Sequence, residues 1–259
     1  MLYSEGSGFL LDVRAEIRKP EQEPTLDGNG ALEGHPARGC VDRFAMEVSP
    51  LSTAYVWLDT EFTSLELERA SLLQISVVLT DTSLRRLSDP SRDLNLFVCL
   101  EPGTEISPWV RENLADLLVK CRGEDAVPMV GLDDRLCSYL DDLVGPGGEE
   151  IAKRPVVSGN SVHADFYLLR RLLPGFIRRC HYRLLDVSAI KLQWTDFADG
   201  DEFDKADPEV VRAHFPEAVM SSHAEVHDAY YDVQASIAEL AYYRKRFLRA
   251  RGAAKDDAG

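Results

Sequence analysis

The chain has 259 residues, 45% hydrophobic and 28% charged, an ordinary globular composition that excludes a fully disordered or fibrous protein. Its 44 acidic and 29 basic residues give a net charge of −15, which argues against a broad basic face of the kind that tracks long nucleic acid. A short nucleic acid held through metal ions remains compatible with that charge. Five scattered cysteines (Cys40, Cys99, Cys121, Cys137 and Cys180) form no C-x-x-C pair, so a reducing compartment fits better than a disulfide framework or zinc knuckle. No run reaches the ~18 apolar residues of a membrane span. The N-terminus carries neither a secretory signal nor a clear transit peptide. The expectation is a cytoplasmic protein with no membrane partner, a mitochondrial destination staying open.

Residues 1–50 are rich in Gly, Pro and acid without sustained periodicity, and read as an N-terminal extension. From Tyr55 the texture changes: YVWLDTEFT, SLLQISVVLTD and LNLFVCLEP read as three strands of an antiparallel meander. Ser107-Pro108 signals the start of a helix through WVRENLADLLVKC, and a second helix runs from about Leu132 to Leu143 before GPGG. RPVVSGN predicts a short buried strand, SVHADFYLLRRLLP a helix, and RLLDVSAIKL a strand passing into a helix. DFADGDEFDKADPE reads as an acidic loop, HDAYYDVQASIAELAYYRKRFLRAR as a long amphipathic helix, and residues 251–259 as a frayed tail. This order predicts an α/β fold, a mixed β-sheet flanked by helices in a single domain over residues 51–250.

Three places could carry chemistry. Asp59 and Glu61, two apart on a strand, project from the same face beside Trp57. On a rigid strand such carboxylates stand ~6–7 Å apart and repel unless a cation lies between them, although an isolated pair also suits a solvated face. Asp165 lies near the start of a helix that follows a strand, at the carboxyl edge where α/β sheets bind ligands; helix-dipole stabilisation alone is the plainer account. Asp232 falls early in the last helix with His227 five residues before it, and His223 with Asp228 forms a rival pair of the same spacing. Four carboxylates without cysteine form an oxygen-only set suited to Mg²⁺ or Mn²⁺. Two such ions would clamp a phosphodiester, and a histidine would take the proton of the attacking water.

DTEFTSL, SGNSVHADFYLL, HYRLLDVS and HDAYYDVQASIAELAYYR resemble, in order and spacing, the signature blocks of the oligoribonuclease family, exonucleases with four acids and a histidine (the DEDDh group). The resemblance implies a ribonuclease H-like fold and a 3′→5′ exoribonuclease that degrades very short RNA, dinucleotides preferred. It implies Asp59, Glu61, Asp165 and Asp232 as ligands of two Mg²⁺ or Mn²⁺ ions, and His227 as general base. It further implies Leu65 as a wedge between two bases, Trp109 as a stacking platform, and Ser161, Arg183 and Ser188 as a cap on the 5′ phosphate. Tyr182 would arrive from the other subunit of a homodimer. Packed core is the plainer account of Leu65 and Trp109, and a surface ion pair that of Arg183. The chain departs from the family at Asn113 and Leu114, where a histidine is usual, at His163 for glycine and at Phe62 for methionine. It also has a longer acidic segment after Trp194 and an N-terminal extension with no counterpart. A broader exonuclease on longer RNA or single-stranded DNA, and a catalytically silent nucleotide-binding scaffold, are the rival readings.

Overall fold

Strand β1, Tyr55–Phe62, is the axis of the fold. The computed structural model describes residues 54–146, 150–198, 200–219 and 228–247. The extension over residues 1–50, the tail over residues 251–259, and both His223 and His227 lie outside the described residues. Beside β1 run β2, Leu72–Thr80, and β3, Leu94–Phe97, each antiparallel to its neighbour. On the other side β4, Val156–Gly159, and β5, Leu184–Asp186, run parallel to β1, so the sheet is mixed, in the order β3-β2-β1-β4-β5.

Alternation along β1 divides the core. Val56 and Leu58 face one layer, formed by α3 (Leu132–Val144), α4 (His163–Leu172) and α5 (Pro174–Arg179). Trp57 faces the opposite layer, formed by α6 (Val187–Phe197), α7 (Pro208–His214) and α8 (Ala229–Phe247). Burying apolar surface on both faces of a single sheet is what makes these elements one domain.

The stretch predicted as one helix after Ser107 is two, α1 (Pro108–Asn113) and α2 (Ala115–Lys120), broken at Leu114. Leu114 leaves helical geometry (φ −119°, ψ 34°) while staying buried among Leu73, Val110, Leu117 and Leu118. The break lets both short helices turn apolar faces onto β2, a tertiary preference that overrides local propensity. Helix α7 was not anticipated; Pro at its start and the Asp207 carboxylate, which accepts from the Glu209 amide at 2.9 Å, are the signals that define it.

A buried polar knot fastens α8 to the end of β4. Asn160 Nδ2 donates to Glu239 Oε2 (2.8 Å) and Ser236 Oγ (3.1 Å), and the Tyr243 hydroxyl donates to Glu239 Oε1 (3.0 Å). Glu239 is 2% exposed, so its partners are what make its burial tolerable. Ser236 Oγ in turn donates to the Asp232 carbonyl at 2.8 Å. Replacing Glu239 with Ala leaves these donors unsatisfied and is expected to lower the unfolding free energy by roughly 1–3 kcal/mol in urea titration. A loss under about 0.5 kcal/mol would contradict the knot's role.

Candidate active site

Strand β4 pairs with β1 only at Tyr55–Trp57, so β1 runs on past its neighbour. Asp165 fills the gap: its Oδ1 accepts from the Thr60 amide (2.9 Å) and from Thr60 Oγ1 (2.6 Å). The carboxylate thus takes a main-chain donor that would otherwise seek a strand partner. The chain is aimed there by the turn out of β4. A Cβ on Gly159 would lie 2.7 Å from the Leu58 carbonyl, so only glycine fits at the crossing. Ser161 then adopts a left-handed conformation (φ 49°), its amide held by Asp186 Oδ1 (3.0 Å) and Ser188 Oγ (2.9 Å).

Asp59 and Glu61 project from β1 opposite Ser76 and Gln74 of β2, both buried and both hydrogen-bonded to Asn95 Oδ1. The strand face beside the acids is therefore polar and fixed rather than solvated. Asp232, on the first turn of α8, completes the group. The rival acid Asp228 spends one oxygen on the Tyr230 amide (3.0 Å), a helix-capping contact.

Charge accounts for the behaviour of this cluster. Burial raises Asp59 well above the usual carboxylate range, and the charges of Asp165, Asp232 and Glu61 push it further. Burial likewise lifts Glu61 to about 7, with Asp232 and Asp165 adding to the shift. Asp165 rises to about 6 through burial, against the two hydrogen bonds from Thr60. Among the described residues no three His, Cys, Asp or Glu groups are yet gathered closely enough to hold a metal ion. Lys205 Nζ lies 3.1 Å from Asp232 Oδ1 and sets one positive charge against the acids. The donor chemistry fits a hard divalent cation all the same: all oxygen, crowded, and short of positive charge.

Next to the acids lies a cleft of about 700 Å³ lined by Glu61, Leu65, Ser107, Trp109 and Val110 among others. Leu65 is 89% exposed and Trp109 53%, so neither is the packed core residue that was the plainer account. Ser107 Oγ caps α1 by accepting from the Val110 amide, as its sequence position predicted. A third group lies at the start of α4, where Ser161 Oγ and Ser188 Oγ are 3.1 Å apart. Nearby in sequence, the Arg183 guanidinium lies over the exposed Tyr182 ring at 5.3 Å. Sequence reasoning missed Asn160, Glu239 and Lys205. No local pattern marks this group, since Glu239 lies off the apolar stripe of α8 formed by Val233, Ile237 and Leu240.

The mixed sheet flanked by helices is a ribonuclease H-like fold, with acids on its central strand, on the helix after the fourth strand and on the terminal helix. The fold matches E. coli exonuclease I in a zinc-bound complex with single-stranded DNA (TM-score 0.56, 13% identity), covering 76% of this chain and 42% of that one. It also matches S. pombe Pop2p in its Mg²⁺- and Mn²⁺-bound form (TM-score 0.50, 13% identity), covering 74% and 83%. No family model matches the chain. The oligoribonuclease of Tropheryma whipplei (strain Twist) is 30% identical over 211 residues, 78% of this chain and 98% of that protein. The mitochondrial oligoribonuclease of Mus musculus is 28% identical over 235 residues, covering 87% and 88%. The chain belongs to the oligoribonuclease family.

The raised carboxylates carry a sign. Without divalent ions the native state keeps protons that the unfolded chain has shed, so their contribution is present at low pH and lost as pH rises through about 7. The metal-free thermal midpoint is expected to fall between about pH 5 and pH 8, and saturating Mn²⁺ to remove that fall. A flat or rising metal-free profile would count against the clustered acids.

Proposed function

We propose that this chain is a 3′→5′ exoribonuclease that degrades very short RNA, dinucleotides above all, to nucleoside 5′-monophosphates. The observation that carries this reading is that the charges of Asp59, Glu61, Asp165 and Asp232 act on one another, beside a cleft presenting Leu65 and Trp109. Membership of the oligoribonuclease family supports it, as does a charge of −15, which disfavours tracking of long polyanions.

The four acids would hold divalent metal, with two Mg²⁺ or Mn²⁺ ions as the specific assignment; the ions of the similarly folded Pop2p support it. Bound there, such ions would supply charge stabilisation for the attacking and leaving oxygens of an in-line displacement. The protein's residues do the rest. Asp165 is held in place by Thr60, and Glu61 and Asp59 are fixed against β2. His227, five residues before Asp232, takes the proton of the attacking water as general base. The bond from phosphorus to the preceding O3′ breaks and the 3′-terminal nucleotide leaves as its 5′-monophosphate. Leu65 wedges between the two bases, and Trp109 stacks on one of them. Ser161, Ser188 and Arg183 close the groove on the 5′ phosphate, with Tyr182 of the partner subunit in a homodimer. The exposure of Tyr182 (66%) beside Arg183 supports that assignment.

The exonuclease domain is residues 51–250, flanked by the extension at 1–50 and the tail at 251–259. We assign the protein to a reducing compartment, the cytoplasm, with the mitochondrion as the alternative; free Cys99, Cys121, Cys137 and Cys180 support the reducing setting. Among the described residues no helix is long and apolar enough to cross a membrane.

A time course on 5′-labelled RNA of two to seven nucleotides tests the substrate. Full conversion to mononucleotides, abolished by chelator, is expected. Accumulating dinucleotides would favour a broader exonuclease. Asp59→Asn is expected to remove turnover with Mn²⁺, and an unchanged rate would favour a silent scaffold. Trp109→Ala is expected to lower kcat/KM on a dinucleotide by about 5- to 150-fold, the equivalent of ~1–3 kcal/mol for one stacked base. An unaltered kcat/KM would remove the platform.

A further inference from the structure

The acidic segment between α6 and α7 contains a single lysine, and the fold delivers it to the carboxylate cluster. Two residues before it Phe203 is buried against Trp194, His214 and Tyr242. Trp194 Nε1 and the Tyr242 hydroxyl both donate to the Asp201 carbonyl, the former at 3.1 Å. On the far side Asp207 caps α7. The carbonyl of Lys205 itself accepts from the Tyr231 hydroxyl at 2.7 Å, one residue before Asp232. With the backbone pinned on both sides, Lys205 Nζ comes within 3.1 Å of Asp232 Oδ1.

The Asp232 carboxylate that Lys205 meets is only 21% exposed, so the ammonium is its nearest charge partner. One tethered ammonium thus sets a positive charge against the acids that divalent metal would otherwise neutralise. Its side chain is 55% exposed, so it has room to leave. Asp201, Glu202 and Asp204 lie within four residues and would keep a displaced ammonium compensated.

We propose that Lys205 is a tethered counter-ion of the carboxylate cluster, which occupies Asp232 in the metal-free protein and must be displaced before Asp232 joins a divalent ion. It thereby sets the ion concentration at which the site loads. The proposal rests on reading the cluster as a metal centre. Lys205 is a positioning residue for Asp232 and needs no contact with substrate.

The test is a Mn²⁺ titration of the full chain without substrate, following free Mn²⁺ by electron paramagnetic resonance. Lys205→Met is expected to bind Mn²⁺ about tenfold more tightly, the low end for loss of one opposite charge at contact, because the pair is partly exposed. Its metal-free thermal midpoint is expected to fall, and to recover on addition of Mn²⁺. Lys205→Arg keeps the charge and is expected to titrate like the wild type. If the wild type binds Mn²⁺ and Lys205→Met binds it no more tightly, the counter-ion role is overturned while the metal centre stands. If neither protein binds Mn²⁺, both readings fall together.

Discussion

Like-charged carboxylates crowded into a partly desolvated pocket repel, and the rest of this structure is arranged to hold them there. Burial and mutual repulsion act in the same direction on Asp59 and Glu61. Each added acid therefore makes the next more costly to ionise. Such a cluster persists only when hydrogen bonds and packing fix its members and a cation offsets its charge. The two Thr60 donors on Asp165 and the lysine on Asp232 answer those needs within the chain itself.

The scaffold meets the constraint through strand lengths. Because β1 outruns β4, the sheet leaves a gap at its carboxyl edge, and an acid on α4 closes it. The buried Asn160–Glu239–Tyr243 knot then fastens α8 to the same edge, which brings Asp232 toward β1. A cleft with an exposed leucine and tryptophan opens beside the acids. The acids and the cleft share one end of the sheet, where α/β folds generally bind their ligands.

Local patterns carry much of this. The alternation in YVWLDTEF defines β1 and its two faces, and the Ser107-Pro108 signal marks the start of α1. Asp59 and Glu61 share a face because strand geometry gives them no alternative. What the chain does not spell out locally is tertiary. The break at Leu114 answers packing onto β2, and α7 begins inside a stretch whose acidic texture reads as loop. Lys205 is invisible in an acidic run, since its role depends on where Phe203 anchors the backbone. Glu239 lies off the apolar stripe of α8 and reads as a solvated acid; only tertiary packing buries it beside Asn160 and Tyr243.

The account depends most on the four acids meeting around divalent metal. Diffraction from crystals soaked in Mn²⁺, with anomalous difference maps at the manganese edge, tests this directly. The account predicts two peaks bounded by carboxylate oxygens of Asp59, Glu61, Asp165 and Asp232, with the Lys205 ammonium moved away. Peaks at other surface acids only, or none at Mn²⁺ levels that support turnover, would contradict it.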